Sequence, residues 1–220
     1  MSNPICTVIG KQIDFTDRLR FRAIIGSTKA SELEKKMAFE LGRRSVQEGY
    51  IVVSGLAKGI DTEAHKGALS VEGDFAKTVA VVSTGTTEGV YPHENYDLAE
   101  DIKLNGALIH CYKTIAPWTK ENFGPKQKRL VERDTIQAYV SEEIIVVSDK
   151  DNISGGTRWA LNYGKLLGKT LICYDSQGNR NDNFTFKEEK ALIWWKMELD
   201  WMTAGEQLLN NHYTFWEVRK

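Results

Sequence analysis

Four short turns hold most of the residues that could do chemistry: Gly26-Ser27-Thr28, Ser54–Asp61 (SGLAKGID), Ser83–Thr87 (STGTT) and Ser154-Gly155-Gly156-Thr157. Glycines let a chain turn tightly and let a guest approach the backbone. A strand, a glycine-bearing turn and a helix N-terminus together make an anion site, because unpaired N–H groups point outward and the helix dipole adds positive potential. The expected chemistry is phosphate recognition by Gly26, Ser27, Thr28, Ser54, Gly55, Lys58, Gly59, Asp61, Gly85, Thr86, Ser154, Gly155, Gly156 and Thr157. Any one such turn could equally be an ordinary strand-to-helix connection, since short glycine turns are common. Four at one edge of a sheet carry more weight. Asp61 or Thr62 is expected to cap the following helix, and Asp61 could also orient a ribose.

A second candidate is the stretch Lys113–Arg133. Lys113, Lys120, Lys126, Lys128, Arg129 and Arg133 face only Glu121 and Glu132, a local charge of +4. Tyr112, Trp118 and Phe123 are interleaved. Cations on phosphates and rings under bases are what single-strand binding needs. The plain alternative is a solvated basic helix and loop. Other reactive residue types are isolated. His65 has no further metal ligands at matching spacing, so a packed or hydrogen-bonded helix histidine is expected and no metal site is assigned. Tyr91-Pro92 is expected to shape a turn. Cys111 has no neighbouring His or Asp that would mark a nucleophile. No catalytic residue and no cofactor are assigned.

These turns need strands and helices to position them. Pro4–Gly10, Arg20–Gly26, Ile51-Val52-Val53, Thr78–Ser83, Ala107–His110, Glu143–Val147 and Lys169–Tyr174 read as strands, most of them apolar on both faces. Ser31 with Glu34 is a capping-box pattern, and the helix behind it carries Leu33, Met37, Ala38, Leu41 and Val46 before stopping near Glu48-Gly49. Further helices are expected from Asp61, over Glu94–Leu104, over Gln127–Tyr139 and from Ser154 to Leu167. Strands alternating with helices predict an α/β fold with a mostly parallel sheet covered by helices on both faces. Sites in such sheets lie beyond the C-terminal ends of the strands, where all four turns fall. Past Asp175 a polar linker, Ser176–Asn183, leads to a stretch holding Trp194, Trp195, Trp201 and Trp216, four of the six tryptophans. The reading is residues 1–175 as one Rossmann-like domain and 176–220 as a Trp-rich helical extension, packed back on it or forming an interface.

Bulk composition sets limits. At 220 residues with a net charge of -1, nothing global announces nucleic acid or membrane, so any such site must be a local patch. Cys6 and Cys173 lie in apolar strand-like runs, where buried thiols are expected, and the three cysteines suit a reducing compartment. No segment approaches 18 uninterrupted apolar residues and the N-terminus lacks a signal-peptide pattern, so a soluble cytoplasmic protein is expected.

Val53–Asp61 with Ala64-His65 and Ala68-Leu69 resembles the central motif of the DNA-processing protein A (DprA/Smf) family. The likeness continues through Thr78–Val82 with Gly85, Val90-Tyr91-Pro92 with Glu94-Asn95, Leu98-Ala99, Ile102 and Gly106-Ala107-Leu108. Upstream it takes in Ala23–Ser27 with Ala30-Ser31, and downstream Ser154–Thr157 with Ala160. It spans about residues 4–174. The resemblance implies an extended Rossmann-like fold of the SLOG superfamily, binding of single-stranded DNA through a positive pocket, homodimers, help in loading a RecA-type recombinase, and no catalysis. The sequence departs from the pattern at two places. The family's Gly-Ser-Arg is here Gly26-Ser27-Thr28, and its Phe-Pro-x-Arg-Asn-Arg falls on Leu130-Val131-Glu132-Arg133-Asp134-Thr135. Two cations fewer and one carboxylate more weaken phosphate affinity.

The leading expectation is a non-catalytic, DprA-like protein that binds single-stranded DNA through the glycine turns and through Lys113, Lys126, Lys128, Arg129 and Arg133. The alternative is a SLOG-type sensor of a small nucleotide using the same turns. A phosphoribohydrolase-type enzyme is disfavoured, because the turn Ser154–Thr157 continues into Arg158-Trp159, with no carboxylate in the position that class needs.

Overall fold

The computed structural model describes residues 3, 5–112, 123–188 and 200–218, and along 123–127 the backbone only. In chain order the elements are β1 (Thr7–Gly10), β2 (Phe21–Gly26), α1 (Glu32–Gln47), β3 (Ile51–Ser54), α2 (Ile60–Leu69), β4 (Thr78–Val82), α3 (Tyr96–Asn105), β5 (Gly106–His110), α4 (Phe123–Val140), β6 (Glu143–Val147), β7 (Asn152–Ile153), α5 (Thr157–Leu166), β8 (Thr170–Tyr174), β9 (Arg180–Asn181), β10 (Thr185–Phe186), α6 (Trp201–Leu209) and β11 (Thr214–Glu217).

One sheet of 9 strands runs in the order β11-β1-β5-β4-β3-β2-β6-β8-β9. The central run from β5 to β8 is parallel throughout, while β1 meets β5 and β9 meets β8 in antiparallel pairs. The apolar strand residues divide by alternation. Ala23, Val53, Val79, Val81, Ile144 and Val146 share one core with residues of α4, α5 and α6, whereas Ile24, Val52, Ile145 and Val147 share another with α1 and α2. Ala80, Val82 and Leu108 pack with α3. Strands apolar on both faces therefore demand helices on both faces, and the α/β, Rossmann-like architecture expected from the pattern is the one found.

Successive strands from β2 add on one side as β3, β4 and β5. After α4 the chain returns to the other side of β2 with β6 and then β8. The strand order thus reverses between β2 and β6, and a crevice opens beyond their C-terminal ends.

Local signals set the helix ends. Ser31 and Glu34 form a reciprocal capping box, with the Glu34 N–H donating to Ser31 Oγ at 3.2 Å and the Ser31 N–H to Glu34 Oε2 at 2.8 Å. The second Glu34 oxygen accepts from the Asp149 N–H at 3.1 Å, which ties α1 to the loop after β6. Leu33, expected on the inner stripe, is 55% exposed; the inner face of α1 instead uses Glu34, Ala38, Leu41, Gly42, Ser45 and Val46.

Two sequence expectations are corrected here. The tail past 175 is not helical alone: β9 extends one end of the main sheet, β10 pairs with β7, and β11 pairs in parallel with β1 at the other end. Its described helix, α6, packs on the domain through Trp201, whose ring meets Tyr139 at 6.1 Å and Tyr163 at 5.4 Å. Trp194 and Trp195 lie outside the described residues. Cys6 and Cys111 form a disulfide, and only Cys173 is a free buried thiol. The register explains the pair. Thr7 lies opposite His110 in the antiparallel β1–β5 ladder, so the preceding and following residues face each other as well.

Candidate functional site

Three of the four turns meet at the switch point. Gly26–Lys29 follows β2, Ala57-Lys58 with Asp61 follows β3, and Ser148–Thr157 follows β6; all contribute to one cleft of about 920 Å³. They are stitched to each other. Thr157 Oγ1 donates to the Gly26 carbonyl at 2.9 Å, and the Ile60 N–H donates to the Ser27 carbonyl at 3.4 Å. Gly59 stands at φ +79, and a Cβ there would collide with the Ser27 carbonyl, so only glycine lets the second turn lie against the first. The cis-linked Tyr91-Pro92 also borders the cleft.

The fourth turn does not join them. Gly85 and Thr86 follow β4, two strands from β2 and three from β6, and do not line the cleft. At about 4.8 Å per strand that is a lateral offset of roughly 10–15 Å. The Gly85 N–H instead donates to Glu88 Oε2 at 2.6 Å.

The turn after β3 is organised from within. Asp61 does not cap α2, whose N-cap is Gly59. Its carboxylate accepts the N–H groups of Gly55 and Ala57, both at 3.2 Å. Those donors, expected to meet a guest, are occupied. Ser54 is fully buried, with its hydroxyl on the Ile24 carbonyl at 2.6 Å. Gly55 does permit a close approach, but of the protein's own Arg133, whose guanidinium donates to the Gly55 carbonyl and fills the space a Cβ would need.

Arg133 is the hub of a buried charge cluster. Its Nη2 lies 3.7 Å from Asp61 Oδ2 and its Nε donates to Asp134 Oδ1 at 3.1 Å. Burial raises the Asp61 carboxyl above its ordinary value against the pull of Arg133 and the two amides. Burial also pushes the Asp134 carboxyl up to about 7, opposed by Arg133 and reinforced by the Asp61 charge. One guanidinium cannot fully compensate two carboxylates in a low-dielectric site. Behind this cluster His65 is fully buried and pushed down to about 3 by burial, with Arg133 adding to the effect. Its Nδ1 lies 2.7 Å from Thr78 Oγ1, and that hydroxyl donates to the Val52 carbonyl at 3.0 Å, so Nδ1 is the protonated nitrogen. It is a packed, hydrogen-bonded histidine, as expected from sequence.

The basic stretch is the main correction. Arg129 and Arg133 were expected to face DNA, yet both are buried, at 7% and 8% exposure; Arg133 still lines the cleft, whereas Arg129 does not. Arg129 pairs with Glu88 at 3.3 Å and lies 4.7 Å over the Tyr112 ring, and Tyr112 in turn donates to Glu132 at 2.8 Å. The reason is the path of α4, which runs against α5 and α6 and turns Arg129, Glu132 and Arg133 inward. Lys128 is exposed and lines the cleft. Lys113 and the Lys126 side chain lie outside the described residues.

Sequence reasoning missed the cations that replace them at the rim. Lys29 and Lys150 are exposed, and Arg158 stacks 4.5 Å over the Trp159 ring; all three line the cleft. The signal was adjacency: each sits within a few residues of a glycine- or serine-bearing turn that was recognised. Lys58, which was expected, also lines the cleft and pairs with Glu94 at 2.5 Å. Among the described residues no cluster of three or more His, Cys, Asp and Glu could hold a metal. No described helix is long and apolar enough to cross a membrane.

Comparison with known proteins agrees with this architecture. The family described as DNA recombination-mediator protein A matches residues 3–193. Protein Smf of Escherichia coli K12 is 30% identical over 192 residues, which is 86% of this chain and 46% of that protein. DNA processing protein DprA of Streptococcus pneumoniae R6 is 40% identical over 117 residues, 52% of this chain and 39% of that protein. The matches thus span less than half of these relatives. Among solved structures, DNA processing protein A of Helicobacter pylori, studied for its single-stranded DNA binding mode, superposes with a TM-score of 0.63 at 19% identity, covering 94% of this chain and 80% of that one. The Streptococcus pneumoniae DprA structure gives 0.61 at 21% identity, covering 94% and 61%. At these identities the two structures speak for the fold. With the family pattern matched over most of its length and the fold shared, the chain belongs to the DNA recombination-mediator protein A family.

Proposed function

We propose that this chain is a non-catalytic DNA-processing protein that binds single-stranded DNA at the switch-point cleft. The observation that carries the reading is the rim: Lys29, Lys58, Lys128, Lys150 and Arg158 surround one opening at the C-terminal ends of parallel strands. Several cations lining one opening suit a phosphate chain that crosses it. Arg129 and Arg133 hold buried carboxylates, so the contact set proposed for DNA keeps Lys128 of α4 and otherwise comes from the three turns, with Ser27, Thr28, Ser154, Gly155, Gly156 and Thr157 supplying the polar groups beside the cations. The family membership supports the same role, and a cytoplasmic homodimer meeting a RecA-type recombinase belongs to the same proposal.

The test is fluorescence anisotropy with labelled oligo-dT across a salt series. Lys128→Glu with Lys150→Glu is expected to lower affinity at least tenfold and to reduce the salt slope by about 1.4, at about 0.7 per single-strand phosphate contact. Unchanged affinity and slope would remove the cleft from the reading.

A second reading, a sensor of a small nucleotide, is favoured by cleft size. About 920 Å³ falls within the range of roughly 300–1,000 Å³ typical of small-ligand sites. A panel of mononucleotides and cyclic nucleotides that bind more tightly than oligo-dT would select it.

A further inference from the structure

Two polar side chains on the α4 wall of the cleft are in an unusual state. Gln137 is 2% exposed and lines the cleft, yet its side-chain nitrogen has no hydrogen-bond partner among the described residues. A buried amide donor left unsatisfied costs about 1–3 kcal/mol unless something arrives to accept from it. Asp134 lines the same cleft one helical turn earlier. Residues three apart lie on the same helical face, so the two groups stand side by side. One Asp134 oxygen accepts from Arg133 Nε; the other accepts no hydrogen bond among the described residues. Above pH 7, where the Asp134 carboxyl is ionised, the cleft wall therefore offers a carboxylate with spare acceptor capacity beside an amide with a spare donor, in a cleft that Lys29, Lys58, Lys128, Lys150 and Arg158 also line.

We propose that Asp134 and Gln137 read the edge of a nucleobase and give the cleft a preference for guanine. The proposal rests on the nucleic-acid reading of the site. The chemistry selects among bases. A carboxylate offers only acceptors, and guanine is the one base whose Watson–Crick edge presents two adjacent donors, N1–H and the N2 amino group. Its neighbouring O6 is an acceptor, which matches the Gln137 amide. Thymine presents a single N–H between two carbonyls, which a carboxylate repels. Adenine and cytosine each present one amino group beside a bare ring nitrogen, whose lone pair also faces the carboxylate unfavourably.

The test compares short oligo-dT strands carrying a single central dG, dA or dC with the unsubstituted strand, by anisotropy competition on the full chain at a pH well above 7, so that Asp134 is ionised. The dG strand is expected to bind about tenfold more tightly than the others, in line with a bidentate base contact. Asp134→Asn removes a negative charge beside the phosphates, so it is expected to strengthen binding of every strand while abolishing the dG preference. Gln137→Leu is expected to reduce the preference without that general gain. A purely structural role for either residue would leave the ratio between strands unchanged. Equal binding of all strands by the wild-type chain overturns the proposal while leaving the single-strand reading intact. Binding of none overturns both.

Discussion

Gly55 and Arg133 show how closely one residue can depend on another far along the chain. The missing side chain at 55 is the space that the guanidinium occupies, and the guanidinium is what makes Asp61 tolerable inside the protein. Gly55→Ala is expected to displace Arg133 and leave buried carboxylates uncompensated, at about 3 kcal/mol of stability in a denaturant melt. A loss under 1 kcal/mol would mean that Arg133 is readily rehoused. The pH response of the cluster follows from two opposed groups. Asp134 has a folded value of about 7 against 3.8, so the folded state holds more protons and its contribution to stability is full at low pH and lost as pH rises toward 7. His65 has a folded value of about 3 against 6.5, so its contribution is present above 6.5 and lost as pH falls. Between about pH 4 and 6.5 the two slopes oppose. Asp134→Asn removes the first, so its stability relative to wild type is expected to rise steadily from pH 4 to 7. A constant difference across that range would place the Asp134 carboxyl at an ordinary value.

At the scale of elements, α1 and α2 are positioned by what happens at their first turns. Ser31→Ala removes one half of the capping box and is expected to cost about 1 kcal/mol. Glu34→Ala removes the other half and also the bond to the Asp149 N–H, so it is expected to cost more and to loosen the loop that carries Lys150 into the cleft. Equal losses for the two substitutions in thermal unfolding would show that the link to Asp149 contributes nothing. The tail is the other element whose role emerges at this scale. Trp201 anchors α6 against Tyr139 and Tyr163, and β11 then reaches the opposite edge of the sheet beside β1. Residues from both ends of the chain thus share one hydrogen-bonded edge.

For the whole molecule, the disulfide joins β1 to β5 across a sequence separation of 105. Closing a loop of about that length limits the unfolded chain most of all, by about 5 kcal/mol in the chain-entropy view. Reduction, or Cys6→Ser with Cys111→Ser, is expected to lower the denaturation midpoint by a corresponding amount. Reduction that leaves the midpoint unchanged would show that the two thiols act as ordinary core residues. The same topology that brings the cysteines together also separates the turn after β4 from the cleft, because the switch between β2 and β6 fixes which strand ends are neighbours.

The sequence by itself determined the core strands, the cap of α1 and the class of fold, because those depend on residues close together in the chain: β-branched runs, Ser31 with Glu34, glycine after a strand. It also marked Gly26–Thr28, Ser54–Asp61 and Ser154–Thr157 as turns with a shared edge. Which donors remain available to a guest was decided only in three dimensions. The amides of Gly55 and Ala57 are taken by Asp61, and Arg129 and Arg133 of α4 are turned inward onto Glu88, Asp61 and Asp134. A count of charges along a helix carries no information about the partners that folding brings to it from elsewhere in the chain, and a buried cation is a different chemical group from an exposed one.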